Sequence, residues 1–450
     1  MRNGIFLAVA IAAVPVASAA TTDASAPVYT KDVLPILQRS CQNCHRPGQI
    51  GPFSMMSYKE TRPWAKAIKQ QVAQRNMPPW YIDKTVGIQD FKNDISLSKT
   101  EIDTIARWVD GGAPEGDPAD APAARVYDDS DRWHIGNPDV VVHLSQKITV
   151  KANSADQWLD IDTDSLGLTS DRYVTAVEMK PFAGATVVHH ASSSIIDPES
   201  EEGGKTSFAE YAVGKYGDKF PEGVGVLLKK DSRIQINLHL HSGKVDMPID
   251  VALALRLLPE GAKPKYVLKM GTLATNHDVD IPPNTKNVRV DGWQILPRPA
   301  VLTSFQPHMH NRGQAQCLEL IEPAANGRPK TEMVSCVDRF KFDWHVNYEY
   351  AEDAEPIVPA GTVIHQISFH DNTAANPSNP DPSNWVTWGE RTADEMDDTR
   401  INYYFISEQE YKERVAARET AKAAKANRKG PAFEMITGSQ TPAGTASSDK

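Results

Sequence analysis

The spacing of apolar residues changes character along the chain. Arg2 is followed by an unbroken apolar run from Ile5 to Val16 and then by Ala17-Ser18-Ala19. This is the charged, apolar and small-residue order of a secretory signal, so residues 1–19 are expected to be cleaved before Ala20. The run is too short for the roughly 20 residues that cross a bilayer. Residues 28–114 have a helical period: one helix is expected over about Lys31 to Arg39. Another opens on the capping box Ser98-Lys99-Thr100-Glu101, presents Ile102, Ile105, Trp108 and Val109 on one stripe, and stops at Gly111-Gly112. Residues 115–125 lack periodicity and read as a linker. From Val126 to about Phe405 the period shortens to that of strands: Val140 to Val142, Tyr173 to Met179, Arg233 to Leu240, Val251 to Leu257, Val301 to Gln306 and Thr362 to Phe369, separated by Pro and Gly. About 280 residues of this pattern suit two antiparallel sandwiches, over 126–265 and 266–406. Residues 407–450 read as a basic, solvated helix with a disordered end. The expected fold class is multidomain: a small all-α unit followed by two all-β antiparallel, jelly-roll-like sandwiches.

Composition narrows the partners. Lys+Arg 48 against Asp+Glu 58 gives a net charge of −10, the opposite of the basic footprint that phosphate backbones require, which excludes nucleic acid. No apolar run after the leader is long enough to span a membrane, so an exported, periplasmic product that does not cross the membrane is expected. Cys317 and Cys336 flank a turn-rich stretch, and in an oxidising compartment they are expected to form a disulfide across a hairpin; two buried thiols are the alternative.

Cys41-Gln42-Asn43-Cys44-His45 is the c-type haem attachment pattern. Two thiols three apart can bond the haem vinyl groups while the next imidazole reaches the iron. A redox or zinc pair is the alternative use of such a CxxC. Residues 28–114 resemble a monohaem cytochrome c domain over their whole length. That resemblance implies one covalently bound haem c and a second axial ligand. Met77, followed by Pro78-Pro79 and preceding the last helix, fits best, with Met55 and Met56 more suited to packing.

Histidines recur in three places within the β region: His189-His190, His239-Leu240-His241 and His308-Met309-His310. In an HxH pair on a strand both rings share one face, since side chains repeat every two residues. Two neutral imidazoles on one face are a nascent metal site. An adjacent HH pair points to opposite faces and can serve one metal only at a bend, for which Gly184 gives room. His134, His143 and His277 read as ordinary core or surface residues, and His345, His365 and His370 as structural or supporting ones.

Four blocks in this order resemble the copper type II, ascorbate-dependent monooxygenases, the family of the peptidylglycine α-hydroxylating and dopamine β-monooxygenases. They are Val188-His189-His190, Ile236 to His241, Gln306-Pro307-His308-Met309-His310, and Gly389 to Met396 leading to Tyr403-Tyr404. The resemblance covers about Val126 to Phe405. It implies two copper ions, one on His189, His190 and His239, the other on His308, His310 and Met396, where O2 and substrate react. A thioether at Met396 suits Cu(I), whereas imidazoles suit both oxidation states; its four acidic neighbours argue against a packing role. His241 competes with His239 for the third place. Gln306 stands where peptide-hydroxylating members carry the arginine that grips a substrate carboxylate, so a peptide C-terminus is a doubtful substrate.

The implied activity is a copper- and haem-dependent monooxygenase that hydroxylates a C–H bond of a small organic substrate with O2. Its electron donor would be a periplasmic redox protein or an ascorbate-like reductant. A haem tethered by the Gly111 to Arg125 stretch, about 15 residues and reaching some 20 Å as a coil, would be the entry for electrons. The competing function is a non-catalytic periplasmic haem and copper electron-transfer or copper-binding protein.

Overall fold

The computed structural model describes residues 26–47, 49–127, 133–199, 204–212, 215, 217–273, 278–323 and 327–428. The expected leader, His277 and the end of the tail lie outside them. The described residues form two compact units, one within residues 26–78 and 95–127, the other within residues 79–94 and 133–428.

In the first unit the helices are short: α1 (Leu34–Ser40), α2 (Tyr58–Thr61), α3 (Ala65–Ala73) and α4 (Lys99–Asp110). Ser98 caps α4. Its hydroxyl accepts from the Glu101 amide and the Glu101 carboxylate accepts from the Ser98 amide, the expected reciprocal box, stabilising by roughly 1 kcal/mol. Ile105 and Trp108 are fully buried and pack with Val33, Leu37, Ile68 and Val72. Pro47, Gly51 and Pro52 interrupt the chain between α1 and α2, and Pro78-Pro79 ends the helical path after α3.

The stretch that follows, residues 79–94, belongs to the second unit. It lies along the outer strand of a sheet, where Ile82 bridges Val337 and the Asp83 and Ile88 amides donate to the Cys336 and Val334 carbonyls. Trp80 packs edge-on against Tyr348. These bonds use the polar groups that an outer strand leaves unpaired.

The second unit is built of sheets. A ten-stranded sheet runs Val140–His143, Met247–Leu257, Arg172–Ala183, Val224–Leu228, Tyr266–Lys269, Tyr403–Phe405, Ala300–Leu302, Ile357–Val358, with two short strands attached. Its ladder is antiparallel apart from the parallel pair Val224–Leu228 and Tyr266–Lys269. A four-stranded sheet, Gln157–Asp162, Arg233–Leu240, Val188–Ile196 and Lys205–Ala212, contributes Leu238 and Ile236 to a core shared with Val177, Leu253, Val301 and Tyr404. One apolar core therefore includes residues on both sides of position 265. Burying a single Leu or Val in it is worth roughly 1.5–3 kcal/mol. Two further four-stranded sheets follow. One contains Gly313–Glu322 and Lys330–Val337, where Cys317 stands opposite Cys336 and the two are disulfide-bonded. The other contains Ser304–Met309 and Asp397–Arg400. Helix α5 (Glu408–Arg428) is tied to the large sheet by Glu410 with the Tyr266 hydroxyl and by Arg414 with the hydroxyls of Tyr404 and Tyr266.

The expected fold class needs correction. Among the described residues strand accounts for 37% and helix for 16%, in several sheets, and no sizeable all-α cytochrome domain followed by two sandwiches is evident among them. The helical period was real, but proline and glycine cut it into pieces of 4 to 12 residues, and 79–94 is spent on the β unit. Among the described residues, no helix is long and apolar enough to cross a membrane.

Candidate metal centre

The first histidine set depends on a bulge. Val188–Ile196 pairs with Arg233–Leu240 so that Val188 faces Leu240 and His190 faces His239, leaving His189 as an extra residue. In an uninterrupted strand His189 and His190 would point to opposite faces; the extra residue turns one of them back. The three rings of His189, His190 and His239 stand 4.9 to 5.3 Å apart by centroid, with Nδ1 of His189 3.1 Å from Nδ1 of His190. One ring nitrogen from each lies within 4.8 Å of the others. Gly184, expected to bend the chain, does so five residues before His189, in a turn closed by the Val187 amide on its carbonyl. Its φ is +70°, and a Cβ there would lie 2.6 Å from Ile249.

Asp156 supports this set. Its carboxylate lies 3.1 Å from His239 Nε2 and 2.7 Å from His241 Nδ1. Burial raises the Asp156 carboxyl, but the two imidazoles outweigh it and the net shift is downward. With Nε2 occupied, His239 Nδ1 is buried and has no hydrogen-bond partner. Trp158 stacks on the same ring at 4.5 Å. His239 is buried whereas the His241 side chain is 69% exposed, so the geometry distinguishes the two alternatives that spacing left open.

The second set is carried by a regular strand. Ser304–Met309 pairs with Asp397–Arg400, Gln306 facing Arg400 and His308 facing Asp398. The rings of His308 and His310 are 5.6 Å apart, both buried. Met309 faces Asp397, the last pair of this ladder, and Met396 is the residue that precedes Asp397. Glu395 fastens this end. Its buried carboxylate accepts from the backbone amides of His310, Arg312 (2.9 Å) and Met396 (3.0 Å). Burial pushes this carboxyl up to about 7 against the opposing pull of those three donors. His310 Nδ1 lies 3.3 Å from the Asp394 carbonyl, and His370 Nε2 lies 3.4 Å from that of Met396.

Burial holds the imidazoles neutral. His189, His190, His239 and His308 are all shifted down, and His310 reaches about 4. Neutral imidazole is the ligating form, and an all-imidazole set suits copper, zinc, iron or nickel. The unpartnered Nδ1 of His239 fits such an ion.

Sequence reasoning did not assign a metal role to His345. The structure places its ring 5.1 Å from His190 and 4.9 Å from His308. It also did not single out Glu210, which is buried and pairs with Arg400 at 2.6 Å and with the Gln306 amide. Burial raises the Glu210 carboxyl, and the Arg400 and Lys215 cations more than reverse this, to about 2. Glu210, Lys215, Gln306, Arg400, Ser192 and Asn347 line a polar pocket. His345 lies in an aperiodic stretch, where residue spacing carries no signal. His134 and His143 pair with Glu178 and Asp250, and His365 is held between Glu319 and Asp291.

In the first unit Cys41 and Cys44 are half-buried, Cys41 capping the end of α1 and Cys44 following it by three residues. The His45 amide donates to the Cys41 carbonyl, and its Nδ1 lies 3.1 Å from the Phe53 carbonyl. That contact fixes the ring and leaves Nε2 for a metal, the usual arrangement of a ligating imidazole. Gly51 crosses this turn so closely that a Cβ would lie 2.6 Å from the Cys44 carbonyl oxygen. Met55 is buried in the apolar core, and Met77 stands in the turn after α3.

No protein-family model matches the chain, and no curated protein does so. Among solved structures it is similar to the major capsid protein P2 of bacteriophage PM2, with 9% identity over 58% of this chain and 97% of that one, at a TM-score of 0.28. It is also similar to the infectious bursal disease virus VP2 subviral particle protein, at 8% identity, 64% and 75% coverage and a TM-score of 0.19. An allantoicase matches at 10% identity, 56% and 78% coverage and a TM-score of 0.16. Likenesses this slight carry no argument about fold or function.

Proposed function

We propose that the protein is an exported, copper- and haem-dependent monooxygenase that inserts one oxygen atom of O2 into a C–H bond of a small organic substrate. The observation that carries this reading is the convergence of His189, His190 and His239, with ring nitrogens within 4.8 Å of one another, in the same unit as the buried His308–His310 pair. Storage of a metal requires no second, chemically different set, whereas a reaction that consumes O2, two electrons and two protons to give an alcohol and water needs both electron delivery and a substrate site. Bound copper would supply one-electron redox chemistry toward O2.

The chain's own residues would act as follows. His189, His190 and His239 hold one ion, with Asp156 orienting His239. His308, His310 and Met396 hold the other, kept in place by Glu395. Cys41 and Cys44 would attach haem, His45 and Met77 would hold its iron, and the group would supply one-electron chemistry, with a periplasmic redox protein or an ascorbate-like reductant as the donor.

The test is O2 uptake by the reduced, copper-loaded protein purified from a host that attaches haem c. Substrate-dependent uptake matched by hydroxylated product is expected. A protein that binds copper and haem yet consumes no O2 with any of a panel of aliphatic and benzylic substrates would be an electron carrier instead. A zinc-only protein would end the copper reading.

A further inference from the structure

His345 lies between the Lys330–Val337 strand and the Tyr348–Glu349 strand and touches a ring of each histidine set, His190 at 5.1 Å and His308 at 4.9 Å. It is 3% exposed. Its Nδ1 is 3.2 Å from His308 Nδ1, and the nearest carboxylate oxygen, of Glu210, is 3.8 Å away and already paired with Arg400. Its Nε2 is buried without any hydrogen-bond partner.

Leaving a polar nitrogen buried and unpaired costs roughly 1–3 kcal/mol, and buried polar atoms ordinarily have partners. A packing role would be filled at no such cost by a phenylalanine, like the neighbouring Phe342 at 5.6 Å. Two nitrogens bound to one tetrahedral ion at about 2.0 Å stand about 3.3 Å apart. The His189–His190 nitrogens at 3.1 Å and the His308–His345 nitrogens at 3.2 Å both have that spacing. The two pairs are alike, although only the first was legible as a pair in the sequence.

We propose that His345 is a metal ligand, joining His308 and His310 at the second centre. This rests on the copper reading above. It follows that the second centre has three imidazoles besides the Met396 thioether, and that loss of Met396 weakens it without emptying it.

The test uses the full-length haem-bearing chain and copper alone. X-ray absorption of the wild-type Cu(I) protein is expected to count six imidazoles over two coppers; five would overturn the assignment without any substitution. Cu(I) titration against a chromophoric chelator is expected to show one copper unchanged and the other weakened by more than about 100-fold in both His345→Phe and His345→Gln. Phe keeps the ring volume and Gln keeps a polar group, so their agreement separates ligation from packing. Two coppers at wild-type affinity in both variants would overturn the role of His345 and leave the copper reading standing. A wild-type chain that takes up no copper would overturn both.

Discussion

The two histidine sets of the β unit reach similar ends by different backbone devices. His308 lies on a regular strand, Ser304–Met309, that is buried along its whole length, and His310 follows its last residue, so the two-residue repeat of a strand turns both rings to one side. His189 and His190 are adjacent and converge only because one residue is inserted in the ladder, on a strand whose histidines are half-buried. The first set is drawn together on its own, with nitrogens within 4.8 Å. The second is spread more widely and leans on groups from elsewhere in the chain: Glu395 below it, and His345 beside it. A bulge can gather ligands locally, whereas a straight strand aligns them and leaves completion of the site to other segments.

The depth of the second set gives the largest expected effect. Burial holds His310, His345 and His370 near 4, below the 6.5 of an exposed imidazole. Above about pH 6.5 these rings are neutral in both folded and unfolded chains, and stability is full. As the pH falls the unfolded chain protonates first, so metal-free protein loses stability between about 6.5 and 4, on the order of 3 kcal/mol per ring. Urea unfolding of the metal-free chain at pH 7 and pH 4 measures this, and a flat profile would show that burial does not hold these rings neutral.

The next effect is at Glu395. Glu395→Gln presents an amide N–H₂ group to at least one of three buried backbone donors and is expected to cost about 3 kcal/mol or more, read as a lower urea midpoint. It should loosen the second copper while sparing the first. Equal loss at both sets would mean that the two are not separately supported.

The contrast also marks what the sequence made legible. HxH at 308–310 follows from strand period alone, and the strands expected at Arg233–Leu240 and Val251–Leu257 are observed as Arg233–Leu240 and Met247–Leu257. The α4 capping box and the Cys317–Cys336 pairing were also readable, since both depend on local chemistry. The bulge at His189 was only a requirement of the chemistry, because inserting one residue leaves no mark in hydrophobic alternation. The recruitment of Trp80, Ile82 and Phe91 to the β unit was hidden, since apolar residues amid helices read as helical core. His345 and Glu210 were missed because contacts between residues far apart in sequence carry no period.

Smaller effects sharpen the first set. Asp156→Asn keeps the shape but removes the charge that orients His239, and a 10- to 100-fold loss in copper affinity at that set is expected by analogy with other supporting carboxylates, about 1.4–2.7 kcal/mol. His241→Ala removes an exposed ring and is expected to change affinity by less than about 2-fold and stability by no more than about 0.5 kcal/mol. A large effect at His241 with none at His239 would exchange their roles.

The division of the histidines into two sets is tested most directly by the copper content of His239→Ala beside wild type, with haem as the internal count of chains in each. Two coppers per haem in wild type should fall to one, with the remaining Cu(I) held as tightly as the second wild-type ion. Two coppers in the variant, or loss of both together, would contradict the division of the histidines into a bulge-built set and a strand-built one.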